Sequence, residues 1–440
     1  MLLTEGVTGI ATQSYATDTG LLAELRASWP PADAPAGENG GYLSIDLAAL
    51  ELAAVVRLTD RFAVALASEG PPSDTFVVIP VVHDEIRGWR QAAPGDGISA
   101  LVAGVPMASE RAIATDQTNI SVVVGERAVL KWFRRVGPGP SRAATLSAHL
   151  DAVDFAEIPE PLGSLTWPSP TGAELALALG DTFLPGARDG WEWCVARLEA
   201  HLGHEDGACP PDCAPWIGEP LGRLVAGLHV ALATPSHVIP EPTSYATPEE
   251  IHAWGTTAMA TLEEAITLQP TERRAELTAL ASPIRNVIST LATASITPIQ
   301  PIHGDLHVGQ VLEWSGGLAI VDFDGNPTLG EASNALRQPA ARDVAQMSTS
   351  LDHVGRVVAE RVDAALIPRV ASWIADTTAA FLVAYLAGLE AAGRRDLFDE
   401  ALLAPFEVEQ ECRELVYAAR FLPRWRYAPM AALRARFRGR

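Results

Sequence analysis

Residues 300–325 read Gln300-Pro-Ile-His303-Gly-Asp305-Leu-His307-Val-Gly-Gln310-Val-Leu-Glu-Trp-Ser315-Gly-Gly-Leu-Ala-Ile320-Val-Asp322-Phe-Asp324-Gly325. Two acidic clusters, His303-Gly-Asp305 and Asp322-Phe-Asp324, flank a short segment with a turn at its centre. Val311 and Leu312 lead into Ser315-Gly316-Gly317, and the apolar run 318–321 follows. Two short apolar runs across a Gly-Gly turn predict a β-hairpin. A hairpin folds back on itself, so Asp305, Gln310, Asp322 and Asp324 come together at one end. Three carboxylates and an amide oxygen suit a divalent cation and a proton acceptor, the combination that phosphoryl transfer needs.

The 440 residues around this stretch are 48% hydrophobic, enough for two or three domains with sizeable cores. A formal charge of −22 argues against a nucleic-acid partner, whose phosphates would be repelled. It is compatible with a cationic or neutral small substrate, although a low isoelectric point also serves solubility alone. The start, Met1-Leu-Leu-Thr-Glu-Gly-Val7, lacks the basic and apolar regions of a signal peptide, and no segment offers about 20 uninterrupted apolar residues. A cytoplasmic monomer without a membrane partner is the expectation. Four cysteines are too few for a disulfide framework; Cys209 and Cys213 are the one close pair, read as free thiols or at most a local disulfide.

Upstream, a strand or two and a helix over 21–29 precede a Pro/Gly-rich loop. From 42 to 105, β-branched runs at 53–58, 62–67 and 76–82 alternate with Gly/Pro breaks and predict a β-meander. This is taken as an N-terminal cap subdomain over 1–106. Strands at 120–124, 128–133, 162–167 and 174–179 with a helix over 142–153 make 107–185 an intermediate α+β lobe. From 186 to 440 the apolar spacing is mostly that of helices, at 193–202, 221–233, 248–269, 271–293, 342–354, 367–392, 396–419 and from 430 onward. The fold class expected is α+β, with a mostly helical C-lobe carrying the catalytic loop and substrate site.

Lysine usage adds a second signal. The chain has 31 arginines and a single lysine, Lys131, in the middle of a predicted strand. Where arginine serves elsewhere as the generic cation, a retained lysine marks either chance survival or a place that needs a compact ammonium, such as one contacting nucleotide phosphates. The central motif has kinase catalytic-loop spacing, since His303-x-Asp305 followed by Gln310 matches H-x-D-x-x-x-x-N with Gln for Asn. Asp322-Phe-Asp324-Gly325 stands where D-F-G would. On this reading Asp305 accepts the proton of the attacking hydroxyl, and Gln310 and Asp322 offer oxygen to Mg²⁺. Asp324 completes the metal site or holds water beside it, and His303 orients the loop.

These motifs resemble the aminoglycoside-phosphotransferase-like kinases, nearest to the bacterial maltokinases and the actinobacterial glucosamine kinases. Asp116-Gln-Thr-Asn-Ile-Ser121 is similar to the maltokinase nucleotide loop, and Lys131-Trp-Phe-Arg-Arg135 to its lysine strand. The resemblance spans most of the chain. It implies a bilobal protein-kinase-like fold with an added cap, and ATP held between lobes with its base against the strand near 176–181. Two departures stand out. No G-x-G-x-x-G covers the phosphates, so Thr118, Asn119 and Ser121 would cradle them. The helix after Lys131 offers no glutamate, leaving Asp151 and Asp154 as the nearby acids.

Acceptor choice is expected in the C-terminal helices. Glu407, Glu411 and Glu414 fall at i, i+4 and i+7 beside the apolar stripe of Val408, Cys412, Leu415 and Ala419. Such a row is either an ordinary surface feature or a set of acceptors for sugar hydroxyls and an ammonium. Pro423 and Pro429 then bracket what reads as a rigid non-helical stretch presenting Trp425, either a core residue or a stacking surface for a sugar ring. With His307 and Arg420 these form the candidate substrate set. The stretch 422–429 looks like the glucosamine kinase version rather than the maltokinase one. The resemblance therefore implies an ATP- and Mg²⁺-dependent kinase acting on the 6-hydroxyl of D-glucosamine. Maltose at its anomeric hydroxyl and aminoglycosides are the alternative acceptors, and a non-catalytic pseudokinase is the competing class.

Overall fold

The computed structural model describes residues 13–29, 49–70, 75–86, 88–105, 107–113, 119–137, 141–204, 217–293, 297–326 and 337–437. It divides into two compact units, residues 1–148 with 159–185, and residues 149–158 with 186–440. The expected close cysteine pair, Cys209 and Cys213, lies outside the described residues; Cys194 and Cys412 are buried free thiols.

The first unit holds two sheets. Its elements are β1 (Gln13–Ser14), α1 (Thr19–Arg26), β2 (Glu51–Arg57), β3 (Phe62–Ser68), β4 (Phe76–Asp84), β5 (Gly88–Gln91), α2 (Ile98–Val102), β6 (Glu110–Ala112), β7 (Ile120–Val124), β8 (Ala128–Trp132), β9 (Arg135–Val136), β10 (Pro161–Pro168) and β11 (Glu174–Thr182), with α3 (Arg142–Ala152) divided between the two units after Ala148. The meander β2-β3-β4-β5 is antiparallel throughout, and β9 adds to β4. The second sheet runs β1-β10-β11-β8-β7-β6. Each sheet thus takes a strand from the sequence region of the other: β9 lies beyond residue 106 and β1 before it. Leu21 and Leu25 of α1 pack with Val55, Ala65 and Ile79 of the meander to form its core. These β-branched and alanine side chains suit a pleated sheet face covered by a helix.

In β8 the burial alternates, with Ala128, Leu130 and Trp132 inside and Val129 and Lys131 half-buried, as a period of two requires. Lys131 sits directly opposite Ser121 on β7 and Leu179 on β11.

The second unit is mostly helical: α4 (Gly190–Leu202), α5 (Gly218–Leu232), β12 (Ser244–Tyr245), α6 (Pro248–Leu268), α7 (Thr271–Ile288), β13 (Pro298–Pro301), β14 (Val311–Trp314), β15 (Gly317–Ile320), β16 (Arg337–Gln338), α8 (Ala341–Ala359), α9 (Ile367–Ala391), α10 (Leu403–Arg420) and α11 (Tyr427–Phe437). α6 starts with a reciprocal capping box, Thr247 with Glu250, and Pro248 in the first turn. α9 packs on α5 so closely that a Cβ on Gly218 would fall 2.3 Å from the Thr377 carbonyl oxygen, and one on Gly222 the same distance from that of Phe381. Glycine there lets two helix backbones touch. Residues 364–391 are long enough for a membrane crossing, and an 18-residue window within them has a mean hydropathy of 1.5 with 33% of that window buried.

Two expectations at the C-terminus differ. Residues 395–397 and 400–402 are single 3₁₀ turns, and α10 begins only at Leu403, with Pro405 in its first turn where a missing N–H costs nothing. The stretch expected to be non-helical between Pro423 and Pro429 is a 3₁₀ turn, Pro423–Arg426, followed at once by α11, with Pro429 inside its first turn.

Candidate active site

The central stretch forms the hairpin. β14 pairs antiparallel with β15, from Val311 opposite Ile320 to Trp314 opposite Gly317, leaving Ser315-Gly316 as a two-residue turn. At the open end the Val321 N–H donates to the Gln310 carbonyl (3.0 Å), and the Gln310 amide donates to Asp322 Oδ2 (3.1 Å). Asp322 adopts a left-handed φ of 69°, a conformation that aspartate tolerates better than most residues and that turns the chain after the strand. Asp324 follows, half-buried.

The loop carrying Asp305 is fixed by α8. The N–H groups of His303 and Gly304 donate to the two carboxylate oxygens of Asp343, at 2.7 and 2.8 Å. One turn on, Gln346 accepts from the Leu306 N–H (3.1 Å) and donates to the Gly304 carbonyl (3.2 Å). A further turn on, Ser350 Oγ accepts from the Val308 N–H (3.1 Å). Spacing of i, i+3 and i+7 puts these three side chains on one helix face. Asp343 is fully buried and also bonds His229 Nε2 (3.2 Å), whose Nδ1 meets the Tyr385 hydroxyl (2.8 Å). Burial pushes the Asp343 carboxyl up, but His229, the nearby His303 and the Gly304 N–H outweigh it and hold it below its ordinary value.

His303 is a strut within this frame. Its Nε2 bonds the Val321 carbonyl (2.9 Å), tying the loop to the segment that carries Asp322, and Nδ1 accepts from the Asp305 N–H (3.3 Å). Those roles make it neutral with the proton on Nε2, and burial lowers its affinity for a second proton. Asp305 Oδ1 accepts from the Asn326 amide (2.9 Å). Burial raises the Asp305 pKa, opposed by His307, Arg413 and His303. A carboxylate made more basic than usual, on an immobilised loop, is suited to accepting a hydroxyl proton.

Trp193 of α4 donates from its indole to the Val311 carbonyl (3.1 Å), and Gly190 lets α4 begin against the loop, since a Cβ there would fall 1.6 Å from the Val308 oxygen. From His307 an aromatic chain runs outward. Its ring centroid lies 6.5 Å from Trp191, Trp191 meets Trp425 edge-on at 5.8 Å, and Trp425 lies 5.4 Å from His353. Trp425 is half-buried and donates from Nε1 to Glu414 Oε2 (3.0 Å); Gln410 donates to the other oxygen (3.1 Å). Glu411 pairs with His353 at 2.9 Å in the interior. Burial pushes Glu411 up to about 7, and the carboxylate facing His353 raises that imidazole to about 9 against its own burial.

Of the predicted substrate residues, His307, Glu411, Glu414 and Trp425 thus belong to one connected cluster. Glu407 is bonded to Arg436 of α11 (2.7 Å) and Arg420 to Glu264 of α6, and neither shares a hydrogen-bond partner with that cluster. In the first unit Lys131 and Ser121 are cross-strand neighbours, and Asn119 is buried with Oδ1 accepting from the Arg134 N–H (3.4 Å). Thr118 lies outside the described residues. The sequence reading missed Asp343, Gln346 and Ser350. Their signal was present as polar residues recurring at i, i+3 and i+7 in a segment otherwise read for its apolar spacing.

No family model matches the chain. It is 38% identical over 437 residues to the glucosamine kinase of Streptacidiphilus jiangxiensis, covering 93% of this chain and 97% of that protein. It is 35% identical over 387 residues to the glucosamine kinase of Mycolicibacterium smegmatis, covering 82% and 94%. A solved glucosamine kinase, crystal form B, superposes with a TM-score of 0.80 at 36% identity, over 94% of this chain and 98% of that one. A glucosamine kinase in complex with glucosamine, ADP and inorganic phosphate superposes with a TM-score of 0.74 at 36% identity, over 88% and 93%. The chain, α+β in fold, belongs to the glucosamine kinase family.

Proposed function

We propose that this chain transfers the γ-phosphoryl group of ATP to the 6-hydroxyl of D-glucosamine. The observation that carries the chemistry is Asp305, a carboxylate of raised basicity on a loop whose backbone N–H groups are held by α8. Asp305 takes the proton of the attacking hydroxyl as the oxygen–phosphorus bond forms. Gln310 and Asp322, within hydrogen-bonding distance of each other, present hard oxygen donors of the kind Mg²⁺ takes, and Asp324 is a third. Bound there, the ion would neutralise charge on the phosphates. We assign nucleotide-phosphate contacts to Lys131, Asn119 and Ser121, with Thr118 as a fourth member of that set. The pairing of Lys131 with Ser121 across two strands supports a shared task.

Kinship with glucosamine kinases supports the acceptor, and so does the pairing of Trp425 with Glu414. A ring face for a sugar beside a carboxylate for an ammonium is the arrangement an amino sugar requires. We further propose that residues 1–106 act as a cap, 107–185 as an intermediate lobe and 186–440 as the catalytic lobe, working as a monomer on small molecules. The test is ADP release with glucosamine, glucose, N-acetylglucosamine, maltose and kanamycin as separate acceptors. Turnover on glucosamine is expected to exceed the others; turnover on maltose with none on glucosamine would refute this assignment.

A further inference from the structure

The bonds that α8 makes to the loop settle where the Asp305 backbone lies, but not how its carboxylate is turned. The Asp305 N–H goes to His303 Nδ1, and those of Gly304 and Leu306 go to Asp343 and Gln346. The last torsion of an aspartate is broad and roughly two-fold, so a fixed main chain still leaves the two oxygens interchangeable. One contact removes that choice. The Asn326 side-chain amide donates to Asp305 Oδ1 at 2.9 Å, and among the described residues it is the carboxylate's one hydrogen-bond partner.

The run after the hairpin delivers Asn326 to this place. The Val321 carbonyl is held by His303 Nε2 (2.9 Å), and the buried Phe323 ring lies 4.9 Å from the His303 ring. Gly325 then takes a left-handed φ of 75°, which glycine enters without steric cost, and the chain turns back toward the loop. Three contacts thus tie residues 321–326 to 303–305, and the third reaches the carboxylate itself. The type of donor matters. An amide NH₂ group only donates, so it keeps Oδ1 as an acceptor and favours the ionised form. A hydroxyl at the same place could turn to accept instead, and the two oxygens would again be equivalent.

We infer that Asn326 is a positioning residue for the base: its amide occupies Oδ1 of Asp305 and so leaves Oδ2 to take the proton of the attacking hydroxyl. The proton passes to Oδ2 as the hydroxyl oxygen bonds to the γ-phosphorus and ADP departs. This rests on the proposed role of Asp305.

The test is a double-mutant cycle of Asp305→Asn, Asn326→Ala and the two together, read as kcat, KM for glucosamine and ATP affinity. Asn326→Ala should lower kcat by roughly tenfold to a hundredfold, with KM and ATP affinity within about threefold of wild type. In the Asp305→Asn background no base remains to be positioned, so the same substitution should change the residual kcat by less than about twofold. A merely structural Asn326 would cost the same factor in both backgrounds. That result, or wild-type kcat in Asn326→Ala, would overturn the inference. Asn326→Asp keeps the shape but sets two carboxylates against each other. It should lose at least as much kcat at neutral pH, with the acid limb of the pH profile displaced upward. The other charges acting on Asp305, those of His303, His307, Asp322 and Arg413, are common to all these variants. Should the alanine variant not fold, wild-type kcat in Asn326→Asp overturns the inference equally. If wild type turns over no glucosamine, or Asp305→Asn matches wild type, the functional reading falls and this inference with it. If Asp305→Asn is impaired and Asn326→Ala is not, only this inference falls.

Discussion

The loop at residues 303–308, proposed to carry the base, and α10, proposed to line the acceptor, both rest on buried polar residues, but they use them differently. In the loop, side chains of α8 bind backbone N–H groups of residues 303, 304, 306 and 308, so the main chain itself is fixed. On α10 the bonds run from side chain to side chain, through Glu409, Glu411 and Glu414. The first arrangement sets the position of one carboxylate whatever is bound. The second sets a surface whose members can be exchanged without moving the backbone. On the proposed function, the first would hold the chemistry and the second the selection of the acceptor.

The comparison can be broken at several points. The largest effect should follow Asp305→Asn, which removes the proton acceptor while keeping the shape. We predict a loss of about 10³-fold in kcat with ATP affinity nearly unchanged, checked by steady-state kinetics and nucleotide titration. Retained turnover would place the base elsewhere. Asp343→Ala strips the acceptor from two backbone N–H groups and from His229, and should cost about 3–5 kcal/mol of stability in denaturant titration, with kcat falling as the loop loosens. If stability stays within 1 kcal/mol, which is about the net value of one ordinary hydrogen bond, α8 is not the brace argued here.

On the acceptor side the effects should be smaller and should fall on KM. Trp425→Ala should raise the KM for glucosamine by roughly tenfold with kcat little changed, in keeping with up to about 1.5 kcal/mol for a lost aromatic contact. Trp425→Phe keeps a ring but loses the indole donor to Glu414, and a rise of about threefold to tenfold is expected. A fall in kcat with KM unchanged would show that Trp425 serves the chemistry instead.

The smallest effects concern pH. Because burial raises the Asp305 pKa, kcat/KM should fall on acidification at a pH above the ordinary aspartate range. Asp343 is held below its ordinary value of 3.8, so its stabilising contribution is complete above that pH and is lost as acidification passes through the lowered folded value. For His353 the sign reverses. The folded imidazole is raised from 6.5 to about 9, so its contribution is complete below 6.5 and fades as pH climbs through about 9. Thermal melts across that alkaline window, in wild type and His353→Gln, would measure it.

Much of this was legible in the sequence because it lies in local patterns. Glycines between two apolar runs marked the hairpin, although its turn is Ser315-Gly316 with Gly317 already paired in β15, and alternation in β8 set Lys131 opposite to its buried neighbours. What stayed illegible depends on distant pairing. Nothing near residue 303 announces that Asp343, 40 residues on, will bind its N–H. The i, i+4, i+7 row of Glu407, Glu411 and Glu414 looked like one surface, yet the three find partners on three different elements: Arg436, His353 and Trp425. Arg420, adjacent in sequence to the aromatic stretch, turns to Glu264. Prolines 423 and 429 were read as breakers although each stands in a first turn, where proline is tolerated.

The central claim is that this chain phosphorylates glucosamine on oxygen 6 with Asp305 as base. Phosphorus–proton correlation NMR of the product, made from ATP, Mg²⁺ and glucosamine by wild type and by Asp305→Asn, tests it directly. The account predicts a wild-type product whose phosphorus couples to the two protons on carbon 6, and none from the variant. Coupling to the anomeric proton, or equal product from Asp305→Asn, would contradict it.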